Sequence, residues 1–254
     1  MSQQYDTTKP LESRKGLYAY ASSPSLQDVL VEKLDARPGM RVLDAGCGYG
    51  DRLAKLCAHV EGLEAVGFDA SAGMIAAAHE RYPSLNVQVA AIETFEPDQP
   101  FDRIFSIHVL HLIKDPLAAV TRLLSWLKPG GRLLLVLHSE TDQPRKQAWD
   151  QQLVQAGSIH EANGRTVLFE HDAGISETFH AERSLHVQTI TLDTPEPYLQ
   201  ALESHRARWT PMVSDDAWAA YIASARTEME HDIQTTGHFT ETTTYSLLVI
   251  NKPL

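Results

Sequence analysis

Cysteine is almost missing. Cys47 and Cys57 are the only two in 254 residues. They are too few for a disulfide framework, and their spacing fits no zinc pattern, so the expected setting is reduced and cytoplasmic. Positive charge is also scarce: 22 Lys and Arg stand against 33 Asp and Glu, for a formal net charge of -11. No run of Lys or Arg offers a track for a phosphate backbone, which argues against nucleic acid as a partner. Long apolar runs are lacking too. The greasiest stretch, "GGRLLLVLH", is far short of a membrane span and reads as a buried strand. The opening "MSQQYDTTKPLESRKG" is polar, unlike a secretory leader. Internal repeats and low-complexity blocks are absent. What is present is ordinary globular material, 43% hydrophobic and 22% charged, in a length that suits one large α/β domain or two small ones.

The first 24 residues are polar, with Tyr5, Tyr18 and Tyr20 interspersed, and read as an arm or short helix. "SLQDVLVEKL" places Leu26, Val29, Leu30 and Leu34 at helical spacing behind Ser25 as a cap, and "RPG" ends that helix. An alternation follows. "MRVLDA", "EAVGFDA", "NVQVAAI", "FDRIFSIHV" and "RLLLVLH" read as strands. "DRLAKLCAHV", "SAGMIAAAHERY" and "PLAAVTRLLSWL" read as the helices between them, with "KPGG" as a turn. Strands separated by helices imply right-handed crossovers and a mainly parallel sheet covered on both faces. After Ser139 the rhythm changes to a polar helix, a β-branched strand "ERSLHVQTITL", two helices, and a closing strand "FTETTTYSLLVINKP" suited to antiparallel pairing. The expected architecture is a Rossmann-like, doubly wound sheet of seven strands, mainly parallel with an antiparallel C-terminal strand, plus a helical cap. Within one domain, residues 1–36 form an arm and lid, 37–138 a ligand-binding core, 139–238 cap insertions around strand six, and 239–254 the last strand.

The turn from the first strand to the first helix is Asp44-Ala45-Gly46-Cys47-Gly48-Tyr49-Gly50. Glycine there permits unusual backbone angles and close approach of a ligand to the main chain. The spacing G-x-G-x-G departs from the dinucleotide fingerprint G-x-G-x-x-G, and no G-K-[ST] follows to grip a phosphate. Asp44 before the first glycine would repel a pyrophosphate and would suit a ligand that carries an ammonium group.

"VLDAGCGYG" resembles motif I of the class I S-adenosylmethionine-dependent methyltransferases, and the resemblance runs through roughly residues 25–140. "GFDASAGMIAAA" is similar to the family's second motif, "FDRIFSIHVLHLIKDP" to its strand-four motif, and "LKPGGRLLL" to its turn into strand five. The resemblance implies S-adenosyl-L-methionine as methyl donor and S-adenosyl-L-homocysteine as product. It implies that Gly46, Cys47, Gly48 and Gly50 wrap the methionine part and that Asp44 holds its ammonium. Asp69, at the end of the second strand, would accept from the ribose hydroxyls, with Ala70 and Met74 alongside the adenosine. Relatives often carry an acid after strand three. This chain has Ala91 there, which leaves the adenine to the backbone of Ile92 and to Glu93.

Of the 12 histidines, His108 and His111 follow the fourth strand and His138 ends the fifth. Strand C-termini share one crevice in such sheets, so these rings are candidates to take a proton from an acceptor or to orient it. His108 is also placed beside the cofactor by the strand-four motif. No carboxylate pattern accompanies them, so no metal is expected. Tyr5, Tyr18, Tyr20, His138 and Trp209 are candidates for contact with a flat or apolar acceptor, and ordinary helix packing explains the aromatic ones equally well. The expected activity is in-line methyl transfer to oxygen or nitrogen of a small molecule, with secondary-metabolite tailoring among the open roles. Two alternatives stay open: a methyltransferase acting on RNA or protein, and a cofactor-binding sensor without turnover. The branch is similar to the trans-aconitate and ubiquinone-pathway methyltransferases. Monomer and homodimer are both compatible with the sequence.

Overall fold

The computed structural model describes residues 9–156, 165–209 and 212–254. In chain order the elements are α1 (Lys9–Leu17), α2 (Leu26–Leu34), β1 (Arg41–Ala45), α3 (Asp51–His59), β2 (Glu64–Asp69), α4 (Ala72–Arg81), β3 (Asn86–Val89) and β4 (Phe101–Ile107). Then come α5 (Pro116–Ser125), β5 (Leu127–His138), α6 (Pro144–Ala156), α7 (Arg165–Phe179), β6 (Glu182–Leu192), α8 (Glu196–Glu203), α9 (Arg206–Trp209), α10 (Asp215–Thr236) and β7 (Phe239–Asn251). The chain divides into two compact units. One comprises residues 24–140, 166–186 and 245–254, and the other 1–23, 141–165 and 187–244.

The strands form one seven-stranded sheet in the order β3-β2-β1-β4-β5-β7-β6. β1 pairs in parallel with β2 on one side and β4 on the other, β2 with β3, and β4 with β5. β7 runs antiparallel to β5, from Arg132 opposite Asn251 to His138 opposite Tyr245. The chain builds outward from β1 in one direction and then in the other. The gap between the C-terminal ends of β1 and β4 is therefore the topological switch point, where open α/β sheets hold their ligands.

Burial explains why these segments are strands. All five residues of β1 are buried, and Leu133 through Val136 of β5 are inaccessible, as expected of strands covered on both faces. Their core includes Phe68 stacked on Phe95 at 4.4 Å, with Trp126 edge-on to Phe95 at 5.3 Å. α2 starts with a capping box: Ser25 Oγ accepts from the Asp28 N–H, and the Asp28 side chain accepts from the Ser25 N–H. Leu26, Val29, Leu30 and Leu34 are its buried face, as their spacing predicts. At the N-terminal end of the sheet, Asp102 accepts from the Arg41 N–H and from Lys128 Nζ, both at 2.8 Å.

Three elements differ from the sequence expectation. "KPGG" lies inside β5, because Leu127 pairs with Phe101 and the next partners are Arg132 and Arg103, so the extra residues bulge out of the ladder. The helix expected from "PEPYLQALESHRARW" is broken into α8 and α9. α7 was not anticipated at all.

The second unit has its own core, formed by Leu17, Trp149, Ile190, Tyr198, Trp218 and Phe239 among others. Its aromatic polar atoms are tied to acids. Trp149 Nε1 donates to Glu228 at 2.8 Å, Trp218 Nε1 to Glu203 at 3.0 Å, and Tyr221 Oη to Asp150 at 2.9 Å. Tyr198 Oη donates to the buried Glu241 at 3.2 Å.

Candidate cofactor and acceptor site

The glycine turn is built as a cradle. Gly46, Gly48 and Gly50 all have positive φ, at +87°, +55° and +80°. The N–H groups of Gly46 and Cys47 both donate to the Phe68 carbonyl, at 2.8 and 2.9 Å, which ties the turn to the end of β2. Gly50 N–H closes the turn on the Cys47 carbonyl at 3.0 Å, and Gly50 then caps α3. A Cβ on Gly46 would run into Val109, coming within 3.1 Å of Cγ1 and closer still to Cγ2. The turn and Val109, the second residue after β4, thus lie against each other across the switch point.

Asp69 organises this cradle. Its Oδ2 accepts from the Gly48 N–H at 2.9 Å and its Oδ1 from the Ser71 N–H at 2.8 Å. An ionised carboxylate has about four acceptor positions, so these two bonds fix its plane and leave capacity for a diol. Ser71 in turn caps α4, accepting from the Met74 N–H at 3.2 Å. Asp44 is buried at the end of β1. Burial pushes the Cys47 thiol far above its ordinary range, and the nearby carboxylates of Asp44 and Asp69 push it further. Cys47 therefore lines the turn as a neutral thiol and is no nucleophile.

The other residues expected at the cofactor are distributed as follows. Met74 is buried on α4 and Ala70 is half-buried. After β3 the chain makes a turn in which the Thr94 and Phe95 N–H groups donate to the Ala91 carbonyl. Ile92 is buried within it, its carbonyl accepting from Arg122 Nε at 2.8 Å, and Glu93 is exposed. Both line an open groove of about 850 Å³ along α5, which shares no residue with the glycine turn.

The histidines converge. His108 stacks on His138 with ring centroids 4.2 Å apart, and His111 meets His138 edge-on at 6.2 Å. All three are half-buried, at the C-terminal ends of β4 and β5 and on the short 3₁₀ turn Leu110–Leu112. His108 has φ +57°, while its N–H donates to the Val136 carbonyl at 2.9 Å. A non-glycine residue in this left-handed region is uncommon, and such strain gathers where function requires a side chain to point a given way. Two residues were missed by sequence reasoning. Tyr245 on β7 lies 5.2 Å from the His108 ring, and His186 on β6 stacks on Tyr245 at 6.2 Å. Both are buried. Only the antiparallel pairing of β5 with β7 brings Tyr245 beside His138, and nothing local announces it. Among the described residues, no group of three or more His, Cys, Asp or Glu is placed to hold a metal ion.

Of the remaining acceptor candidates, Tyr5 lies outside the described residues. Tyr18 packs on the core of the second unit, Trp209 is buried in that core, and Tyr20 is largely exposed. No helix among the described residues is long and apolar enough to cross a membrane.

Comparison with known proteins decides the family. A family model described as a methyltransferase domain matches residues 18–174, more than half the chain. The chain belongs to the methyltransferase domain family. Phosphoethanolamine N-methyltransferase 1 of Arabidopsis thaliana is 31% identical over 61% of this chain and 32% of its own length. Trans-aconitate 2-methyltransferase of Methylobacterium nodulans is 32% identical over 41% of this chain and 40% of its own length. The chain thus aligns with less than half the length of these methyltransferase relatives. The fold is shared with a solved structure of Haemonchus contortus phosphoethanolamine N-methyltransferase 2 in complex with phosphomonomethylethanolamine and S-adenosylhomocysteine. That likeness has a TM-score of 0.58 at 18% identity, and covers 99% of this chain and 58% of the other. The glycine turn, Asp69 and the histidine cluster all fall within the span of this methyltransferase domain or directly beside it in the sheet.

Proposed function

We propose that the chain transfers a methyl group from S-adenosyl-L-methionine to an oxygen or nitrogen of a small molecule. The observation that carries this reading is the glycine turn held by Asp69. A positive-φ backbone, closed to any side chain at Gly46, is cross-braced by a carboxylate that retains acceptor capacity. The residues present fit the donor. Asp44 supplies a carboxylate for its ammonium and Asp69 an acceptor for its ribose hydroxyls, while the Glu93 side chain lines the groove along α5 rather than the glycine turn. Ala70 follows Asp69 and Met74 lies in the first turn of α4, which this reading sets alongside the adenosine. When bound, the donor supplies an electrophilic methyl on sulfur.

The chain's own work is to align the acceptor and manage its proton. His108, His111 and His138 form a half-buried ring cluster beside the switch point. Imidazole takes a proton near neutral pH, and alignment at near-contact distance supplies much of the rate in such transfers. His108 is assigned the proton, and His111 and His138 the orientation of the acceptor. The names of the two curated relatives support a small, polar acceptor, and the acidic charge of the chain disfavours nucleic acid.

Titration calorimetry with S-adenosylmethionine and S-adenosylhomocysteine tests the reading. Saturable heat with both is expected, and no heat with either overturns it. Labelled donor offered with phosphoethanolamine, trans-aconitate and related small acids and amines then searches for the acceptor.

A further inference from the structure

We infer that Gly67 is a positioning residue for the glycine turn, through the space that it leaves for the Cys47 side chain. This rests on the reading of that turn as the cradle of S-adenosylmethionine. Gly67 lies inside β2, in register with Asp44 of β1 on one side and Val87 of β3 on the other. Glycine weakens a strand interior, and where it stands in one it often marks the close approach of another group. Here that group belongs to the turn. A Cβ on Gly67 would lie 3.1 Å from both Cβ and Sγ of Cys47, and 3.0 Å from Val87 Cγ1. Cys47 is buried, so its side chain is packed over the place where residue 67 would otherwise carry a methyl.

Three consecutive residues of β2 then hold three different parts of the turn. Gly67 provides the seat for the Cys47 side chain. The Phe68 carbonyl accepts from the Gly46 and Cys47 N–H groups, and the Asp69 carboxylate accepts from the Gly48 N–H. The Cys47 thiol adds a weak link, donating to the Gly48 carbonyl at 3.6 Å. Burial keeps on the sulfur the proton that this bond needs. Gly48 is therefore restrained on both sides, at its N–H by Asp69 and at its carbonyl by Cys47. A methyl at position 67 fits only if Cys47 or Val87 gives way. Val87 is β-branched and buried in a strand, so its side chain is stiff. Cys47 belongs to the turn, and it is the one that yields. Its displacement pulls Gly48 from Asp69, and the donor's amino-acid end loses a preformed seat.

The test is calorimetry with S-adenosylhomocysteine on Gly67→Ala, alone and combined with Cys47→Gly or with Val87→Ala. Gly67→Ala should bind about fivefold or more weakly than wild type, the effect of mild overpacking. With Cys47→Gly, which removes both close atoms, the same change at position 67 should alter affinity by less than about twofold. With Val87→Ala it should still cost about fivefold. Equal affinity of wild type and Gly67→Ala overturns the inference. So does a loss that persists with Cys47→Gly or vanishes with Val87→Ala. Urea unfolding of the same proteins separates a structural role, because a glycine that only packs the sheet lowers stability and leaves the folded protein's affinity as it was. If Gly67→Ala does not fold, proton NMR of the wild-type protein bound to S-adenosylhomocysteine decides. Gly67 α-protons close to the Cys47 β-protons support the seat, and the absence of that contact overturns it. Failure of the functional reading looks different: wild-type protein itself would give no heat with S-adenosylmethionine or S-adenosylhomocysteine.

Discussion

Gly46→Ala is the sharpest perturbation the structure offers. Two costs follow from the geometry. The backbone at φ +87° is one that alanine adopts only at about 1–2 kcal/mol. The added Cβ would also overlap Val109 Cγ2 and press on Cγ1 at 3.1 Å and Cβ at 3.3 Å. Valine cannot swing clear, because its branched carbon leaves one stiff side-chain torsion, and overpacking of this kind costs about 1–3 kcal/mol. The sum, about 2–5 kcal/mol, is a large share of the stability of an ordinary domain. The two terms separate in a double-mutant cycle with Val109→Ala. Removing both γ-methyls relieves the overlap and leaves the backbone cost. Urea unfolding of the four proteins should therefore show a favourable coupling of about 1–3 kcal/mol, and the double variant should still be weaker than Val109→Ala alone. Additive effects, with coupling below about 0.5 kcal/mol, would refute the packing argument.

Three further outcomes are expected. Asp69→Ala should weaken S-adenosylmethionine binding by about 1–3 kcal/mol in calorimetry, because a part-buried acceptor is lost and the Gly48 N–H loses its partner; unchanged affinity would show the ribose contact to be wrong. Burial raises the Asp102 carboxyl, but Lys128 and the Arg41 N–H outweigh it and hold it below its usual value. Its stabilisation is thus present above the unfolded-state value and disappears as pH falls through the folded one, so Asp102→Asn should cost about 1 kcal/mol in urea at pH 7 and less as the pH is taken below the usual carboxylate range; a loss that does not change with pH refutes the charge argument. His108→Gly should change stability by less than about 1 kcal/mol, since relief of the left-handed backbone offsets the lost ring contacts. A loss above about 2 kcal/mol in the same assay would mean that His108 is chiefly a packing residue.

The core was legible because its signals are local. Each parallel strand is a short apolar run with a turn at its end, and Ser25 announces the start of α2. The glycine turn was legible for the same reason: its conformation needs glycine at fixed spacing, and the acid that braces it ends the very next strand. Elsewhere the signals are weaker or the decisive contacts are distant in sequence. The helix read from "PEPYLQALESHRARW" breaks at Ser204 and His205, where the His205 N–H turns back to the Leu202 carbonyl only three residues before it. "KPGG" has the composition of a free turn, yet the partners on either side continue the ladder, so it becomes a bulge in β5. Tyr245 and His186 carry no mark of their place, because only sheet order seats Tyr245 against His108 and His186 against Tyr245.

Asp69 shows why a motif residue can resist a single label. In a ligand-centred reading it is the ribose acceptor. In the structure its two oxygens already accept from Gly48 and Ser71, so it shapes the glycine turn and the start of α4 before any ligand binds. These roles are compatible because N–H donors fix the carboxylate plane without exhausting its lone pairs. A cradle braced in this way spends little ordering on binding, which is where preorganised sites gain affinity. The same economy joins the two halves of the site. Gly46 must lack a side chain because Val109 stands against it, and Val109 follows His108, whose strained backbone aims the ring at His138 and Tyr245. The turn that would hold the donor and the ring that would receive the acceptor's proton are therefore neighbours through one residue, and a change of a single methyl at position 46 acts on both.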